Sequence, residues 1–332
     1  MSNQQNYFHN GHFIIRERYK QTFIKNSITR RIANLLQSSI ASILIHLKYI
    51  FFYKKKIYKH SICICAIFKN EAQYLDEWIN YHHLIGIDHF YLYNNNSEDN
   101  YKEILSPYIN QGLVDLVEWP QPHSQMVAYQ DCYNKHKTDT QWLSFIDIDE
   151  FICPISTDSI KDWLQSYKRY PGVAVYWKQF GSNGKLIHDT EKLVIEQYTQ
   201  CWPKFSTYTK MFCNMDFPFT NFISPHILET QISYFSIPPI NQYKKFISFG
   251  IHRHTIRPNK PTIQINHYWG KAYDVFKKNK INNTDVFHNN DSEMGQIRKQ
   301  LLKSHEAMCT TRDFKIQRFL LYTKLNLFLN NK

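Results

Sequence analysis

The hydrophobic pattern opens helical, alternates through a long middle and closes helical. Ile32, Leu35, Leu36, Ile43, Leu47 and Ile50, with Ser39 among them, recur at the three-and-four spacing of one helix face. Residues 61–68 (SICICAIF) read as a strand. Leu75, Trp78, Ile79, His82 and Ile85 then mark one face of a helix that Gly86 stops, and 87–93 (IDHFYLY) is the next strand. Strand, helix, strand predicts a parallel unit with a right-handed crossover. Further on, 101–110 and 125–136 read as helices around a short strand at 114–118. Residues 142–152 (WLSFIDIDEFI) read as one strand buried on both faces. A helix at 161–170, a strand at 173–180 and a GSNG turn follow. Residues 185–260 carry short aromatic-rich strands and loops, where an acceptor side is expected. After a strand at 263–268, the chain reads as helical from Ala272, and again from Ser292 and from Asp313. The pattern predicts an α/β fold: a mixed, mostly parallel sheet flanked by helices, with helical N- and C-terminal appendages. The expected segments are an arm at 1–60, a catalytic domain at 61–280 and a helical extension at 281–332.

Charge changes this picture first. Forty Lys and Arg against 28 Asp and Glu give a net charge of +12, which favours anionic partners. Arg30, Arg31, Lys48, Lys54, Lys55, Lys56 and Lys59 bracket the first apolar segment. That is the form of a basic amphipathic arm for an anionic membrane surface. The competing reading is a helix packed on the catalytic domain with its basic side in water. The most apolar run, 40–53, would cover roughly 21 Å as a helix, short of a bilayer core of roughly 30 Å. It is not expected to cross a membrane, and it is able to lie on one. The first thirty residues are polar and basic, unlike a secretory signal. Seven scattered cysteines without CxxC spacing read as reduced thiols without a zinc site. The expected location is cytoplasmic, at the inner face of a membrane.

Candidate chemistry centres on Asp147, Asp149 and Glu150. Buried carboxylates are costly unless paired or bound to a cation. On a strand, Asp147 and Asp149 share a face and can meet one ligand, with Glu150 opposite unless the strand bends. Two acids at a buried strand end suit a hard divalent ion with positions left for phosphate oxygens. The polar ends of the earlier strands, Lys69 to Glu71 and Asn94 to Asp99, point to one shared crevice. His267 is a candidate third ligand, favouring Mn²⁺ over Mg²⁺, and Lys271 a candidate partner for a leaving phosphate. GSNG lacks the ending of a phosphate-cradling loop.

Five separated blocks carry a resemblance. CAIFKNEAQYLDEWINYHHLIGIDHFYLYNNNSED, Gln125 with Tyr129 and Cys132, WLSFIDIDEFICP, YWKQFGSNG and INHYWGKAYDVF stand in the order found in glycosyltransferase family 92 and related family 2-like domains. The resemblance implies a GT-A fold binding a nucleotide sugar through Mn²⁺ or Mg²⁺. Carried over residue by residue, it makes Asp147, Asp149 and His267 metal ligands. Asn70, Glu71, Asn94, Asp99, Gln125 and Asp147 become nucleotide-side residues, and Asp149, Glu150 and Lys271 catalytic ones. The family often has Lys-Ser where this chain has Lys271 and Ala272, and an acid where it has Asn94. The implied reaction is inverting hexosyl transfer, galactose from UDP-galactose, to a hydroxyl of a surface glycan such as lipooligosaccharide or capsule. Asp216, His226 and Glu229 are candidate bases in the acceptor region, with Glu229 entered among the catalytic residues. Partners are then a UDP-sugar, a glycan or glycolipid acceptor and an anionic membrane surface, with no nucleic acid. Two rivals remain at this level. A metal-dependent nuclease would need a second acid set that is not found. A membrane-associated nucleotide-binding scaffold would bind UDP without turnover.

Overall fold

The structure, a computed structural model, describes residues 27–330 apart from 55, 123, 207, 221, 223, 227, 233–234, 248–259 and 279–291, and residues 8–9 and 12–13 ahead of them. The main sheet is built from β1 (His60–Phe68), β2 (His89–Asn94), β3 (Val114–Glu118), β4 (Thr140–Phe145), β5 (Glu150–Pro154), β6 (Gly172–Gln179), β7 (Thr209–Asn214) and β8 (Ile263–His267). Their spatial order is β3-β2-β1-β4-β7-β6-β8-β5, with Ile240–Asn241 alongside β6. From β3 to β4 every pairing is parallel. β7 runs antiparallel between β4 and β6, β8 is parallel to β6, and β5 closes the edge antiparallel to β8. The expected mixed, mostly parallel α/β sheet flanked by helices is what the chain forms.

Alternation explains why the sheet needs helices on both sides. Along β1, Ile62, Ile64, Ala66 and Phe68 join one core, while Cys63, Cys65 and Ile67 join the other. The first core is covered by α2 (Ala72–Leu84), α3 (Tyr101–Asn110) and α5 (Ile160–Gln165), which contribute Trp78, Leu105 and Trp163 among others. The second is covered by α1 (Ser27–Phe51) and α4 (Gln125–His136). All seven cysteines are buried free thiols, as read from the sequence.

The main departure from expectation is at 142–152. The segment is two strands, not one. β4 ends at Phe145, Ile146 to Asp149 form a turn, and β5 begins at Glu150. The Glu150 amide donates to the Asp147 carbonyl at 3.0 Å, and the Tyr268 amide to the Asp149 carbonyl at 2.8 Å. The chain therefore leaves the side of β1 and crosses to β8. An apolar run buried on both faces cannot show this from pattern alone, because both strands are buried. The helix expected at 161–170 is likewise shorter, ending at Gln165.

The C-terminal helices α6 (Ser292–Ala307) and α7 (Leu320–Asn330) are packed into the same body. His305 Nε2 donates to the Phe180 carbonyl at 2.9 Å, and Glu306 accepts from the Ser182 amide and hydroxyl. A Cβ on Gly181 would stand 2.7 Å from Cys309 Sγ, so that turn can approach the helix only as glycine. Ile316 and Phe319 enter the first core. The expected boundary at 280 therefore does not separate the C-terminal extension from the core.

Candidate active site

Two acids of the turn between β4 and β5 face different neighbours. Asp147 Oδ1 accepts from Gln125 Nε2 at 3.0 Å and from the Tyr129 hydroxyl at 3.1 Å. Gln125 and Tyr129 are one helical turn apart on α4, so both reach the same carboxylate. Asp147 Oδ2 accepts from Lys210 Nζ at 3.0 Å. Asp149 instead turns toward β8, with Oδ1 3.7 Å from His267 Nε2. The expectation that the two share one strand face is thus corrected: the bend at 146–149 separates them, and the cation that meets Asp147 is Lys210.

Lys210 was not among the residues singled out from sequence. It lies on β7 in the run TKMFCN, with a side chain shut off from solvent, and it also stands 3.4 Å from Glu150 Oε2. Burial pulls its ammonium down, but Asp147 and Glu150 outweigh that and hold it above its usual range. Burial pushes the Glu150 carboxyl well above the carboxylate range, against the pull of Lys210. Lys210 thus bridges Asp147 and a Glu150 driven toward its neutral form. Glu150 is fully buried, and its Oε2 accepts the Asp147 amide at 3.0 Å. From there it holds the turn through the Asp147 amide. The signal available in the sequence was a lone lysine inside an apolar strand, which needs a buried partner.

Strand register sets the histidine. β8 pairs β6 so that His267 lies beside Gln179, and His267 Nδ1 meets Gln179 Oε1 at 3.1 Å. A carbonyl oxygen only accepts, so Nδ1 donates to Gln179 and Nε2 is directed toward Asp149. This is how a ligating imidazole is held by a second contact. The antiparallel pairing of β8 with β5 puts His267 opposite Glu150, one residue from Asp149.

Trp177 of β6 joins these groups to His226 and Tyr208. Its ring centroid is 4.2 Å from that of His267, 5.0 Å from His226 and 5.4 Å from Tyr208. Burial, then the Lys210 charge, holds the His226 imidazole down at about 3. The ring is neutral and donates from Nδ1 to the Thr209 carbonyl at 3.0 Å. Trp177 Nε1, Gln125 Oε1 and Glu150 Oε1 are buried without a partner among the described residues. Such atoms are uncommon, and a polar ligand or ordered water would satisfy them.

A second group lies around the end of β1. Lys271 Nζ is 3.8 Å from Glu71 Oε2 and 4.0 Å above the Tyr74 ring. Lys271 has φ of 42°, a left-handed backbone held although it is not glycine. A cavity of about 240 Å³ opens beside it, between the turn at 182–186 and Leu302 and Glu306.

Other expected nucleotide contacts build turns. Asn94 donates to the Tyr101 hydroxyl and to Glu118 Oε2, and accepts from the Ser97 amide. Both its amide hydrogens are committed, and it is buried. It holds the turn after β2. Asn70 accepts from the Glu98 amide, and its own amide donates to Ser97 Oγ. Asp99 Oδ2 accepts from the Ala72 amide at the start of α2. Asp216 accepts from the Tyr58 hydroxyl at 2.8 Å and anchors the segment after α1. Glu229 lies on the strand Glu229–Ile232 of a separate three-stranded sheet, paired with Thr220. Its side chain lies outside the described residues.

Among the described residues no three His, Cys, Asp or Glu side chains converge on one point. Asp149 and His267 do so as a pair, one carboxylate oxygen and one imidazole nitrogen. That mixed donor set fits Mn²⁺ better than Mg²⁺, with further positions left for oxygens of a ligand.

The sequence profile of glycosyltransferase family 92 matches residues 58–319. A glycosyltransferase family 92 protein of Ricinus communis is 26% identical over 226 residues, which are 66% of this chain and 37% of that protein. A beta-1,4-galactosyltransferase of Caenorhabditis elegans is 31% identical over 110 residues, 30% of this chain and 26% of that one. The matched region thus spans well under half of either relative. A crystal structure of S. aureus TarS 1-349 in complex with UDP aligns at 15% identity and a TM-score of 0.29, over 39% of this chain and 38% of that one.

Proposed function

The chain belongs to glycosyltransferase family 92, and from that premise we propose that it transfers galactose from UDP-galactose, with inversion, to a hydroxyl of a surface glycan or glycolipid. The Asp149–His267 pair carries this reading, with the tautomer of the imidazole fixed by Gln179. The galactosyl assignment is supported by the similarity to a beta-1,4-galactosyltransferase. A lipooligosaccharide or capsule glycan is the acceptor type proposed.

Asp149 and His267 would hold Mn²⁺, which when bound supplies positive charge that stabilises a departing diphosphate. The chain's own residues do the rest. Asp147, fixed by three donors and still one-third exposed, offers remaining lone pairs to sugar hydroxyls. Lys271 places a second positive charge at the end of β1, where it can meet phosphate oxygens. Trp177 supplies an aromatic wall beside His267. An acceptor hydroxyl attacks the anomeric carbon opposite the diphosphate, which gives inversion. The glycosidic bond forms as the sugar–phosphate bond breaks, and the hydroxyl proton passes to a base.

The test measures Mn²⁺-dependent UDP release from UDP-galactose and other UDP-sugars, alone and with glycan acceptors. Turnover by the wild type that falls in Asp149→Asn and His267→Ala supports the proposal. Calorimetry with Mn²⁺ alone gives a second readout, in which both variants lose binding. UDP binding without any turnover would leave a scaffold in place of an enzyme of this specificity.

A further inference from the structure

We propose that α1 is an in-plane anchor, seating the protein on a membrane surface that carries anionic lipid. The inference stands on α1 alone and is independent of the reaction. Of this helix, Ala41 and Ile45 are buried against the second core. The Tyr49 hydroxyl donates to the Lys168 carbonyl, and Lys48 Nζ donates to the Asp216 carbonyl, 3.7 Å over the Phe217 ring. One face is therefore docked. The apolar stripe read from the sequence is on the other. Setting Ile32 at zero and advancing about 100° per residue, Leu36, Ile43, Leu47 and Ile50 fall within about 60° of it. Ala41, Ile45 and Lys48 centre about 180° away.

The exposures agree with this geometry: Ile43 is 58% exposed, Ile50 58% and Leu36 60%, against 1% for Ala41. A globular helix normally turns its apolar stripe inward. Here the stripe is left outside from Ile32 to Ile50, a length of roughly 28 Å. Phe51 and Phe52, where the helix ends, are exposed as well. No helix among the described residues is long and apolar enough to cross a membrane. A long helix with one apolar face and low overall hydrophobicity suits the headgroup boundary. Ser39 and His46, also exposed, are tolerated there.

Charge selects the occupant. Exposed Lys54 and Lys59 follow the helix, and the chain carries +12. Two copies face to face would bring these charges together, whereas anionic headgroups complement them.

The experiment floats the full chain with vesicles of phosphatidylcholine alone or mixed with phosphatidylserine. Binding is expected on the mixed vesicles and weakens as salt rises. Ile43→Ser with Leu47→Ser is expected to lower the bound fraction about tenfold. Lys54→Glu with Lys59→Glu should lower it roughly fivefold per charge at low salt. Both pairs are solvent-exposed, so circular dichroism and vesicle-free UDP-sugar turnover should stay at wild-type values. Equal flotation of the serine variant overturns the proposal. So does a dimer, seen by light scattering, that the serine variant dissociates, because the face then belongs to a second copy.

Discussion

At the carboxyl ends of β1 and β2, polar side chains face one another. Asn94 is tied to Tyr101, Glu118 and Ser97, Asn70 to Glu98, and Asp99 to the start of α2. At the ends of β4, β7, β6 and β8 the polar groups face a shared centre. Asp147 meets Lys210 there, and Asp149 meets His267 beside Gln179, although the members of each pair lie far apart in sequence. The parallel half builds rigid turns with its amides and leaves Glu71 and Lys271 at the opening. The mixed half assembles charged groups from strands distant in sequence. Polar residues at a strand end are thus poor evidence of ligand contact when they are close in sequence, since local turns need them. They are better evidence when tertiary pairing brings them together in a buried place.

Four measurements press on that contrast, in descending order of expected effect. Lys210→Met should destabilise the fold by roughly 3–5 kcal/mol, because it leaves Asp147 without its buried cation. Adding Asp147→Asn should recover part of that. Chemical denaturation of the single and double variants decides it, and a Lys210→Met protein as stable as wild type would remove the pair from the architecture. Asp149→Asn should lower turnover on the order of 10²–10³-fold, about 2.7–4 kcal/mol, with the melting temperature nearly unchanged. A folded variant turning over at the wild-type rate would take Asp149 out of the chemistry.

The third concerns the link between the halves. Glu77 of α2 accepts from the amides of Val194 and Ile195, beyond β6, and burial raises its carboxyl from 4.5 to about 7. A raised carboxyl contributes stability that is fully present below about 4.5 and lost as pH rises through about 7. Over that window the wild type should lose about 3 kcal/mol relative to Glu77→Gln. Urea unfolding against pH reads the difference, and parallel profiles would show that Glu77 does not titrate there. Last, Asn94→Ala should cost about 1–3 kcal/mol of stability and leave the Michaelis constant for the donor unchanged. A raised constant at constant stability would make Asn94 a ligand contact and blur the contrast.

Much of this was legible in the sequence because it depends on local pattern. Short apolar runs gave β1, β2 and β8, and three-and-four spacing gave α2, since such signals lie in consecutive residues. The acid run marked the site for the same reason: carboxylates inside apolar strands are costly, so their presence signals a partner. The apolar stripe of α1 was also plain, but not its direction. Periodicity says which residues share a face, and only packing says whether that face meets the core or is left outside. The break at 146–149, the role of Lys210 and the burial of Glu150 were decided by tertiary structure in the same way. Each depends on which strand lies alongside, a relation between residues far apart that no local period records. The register of β8 against β6, which aims His267 at Asp149, is of that kind: sequence supplied the histidine, and strand pairing supplied its orientation.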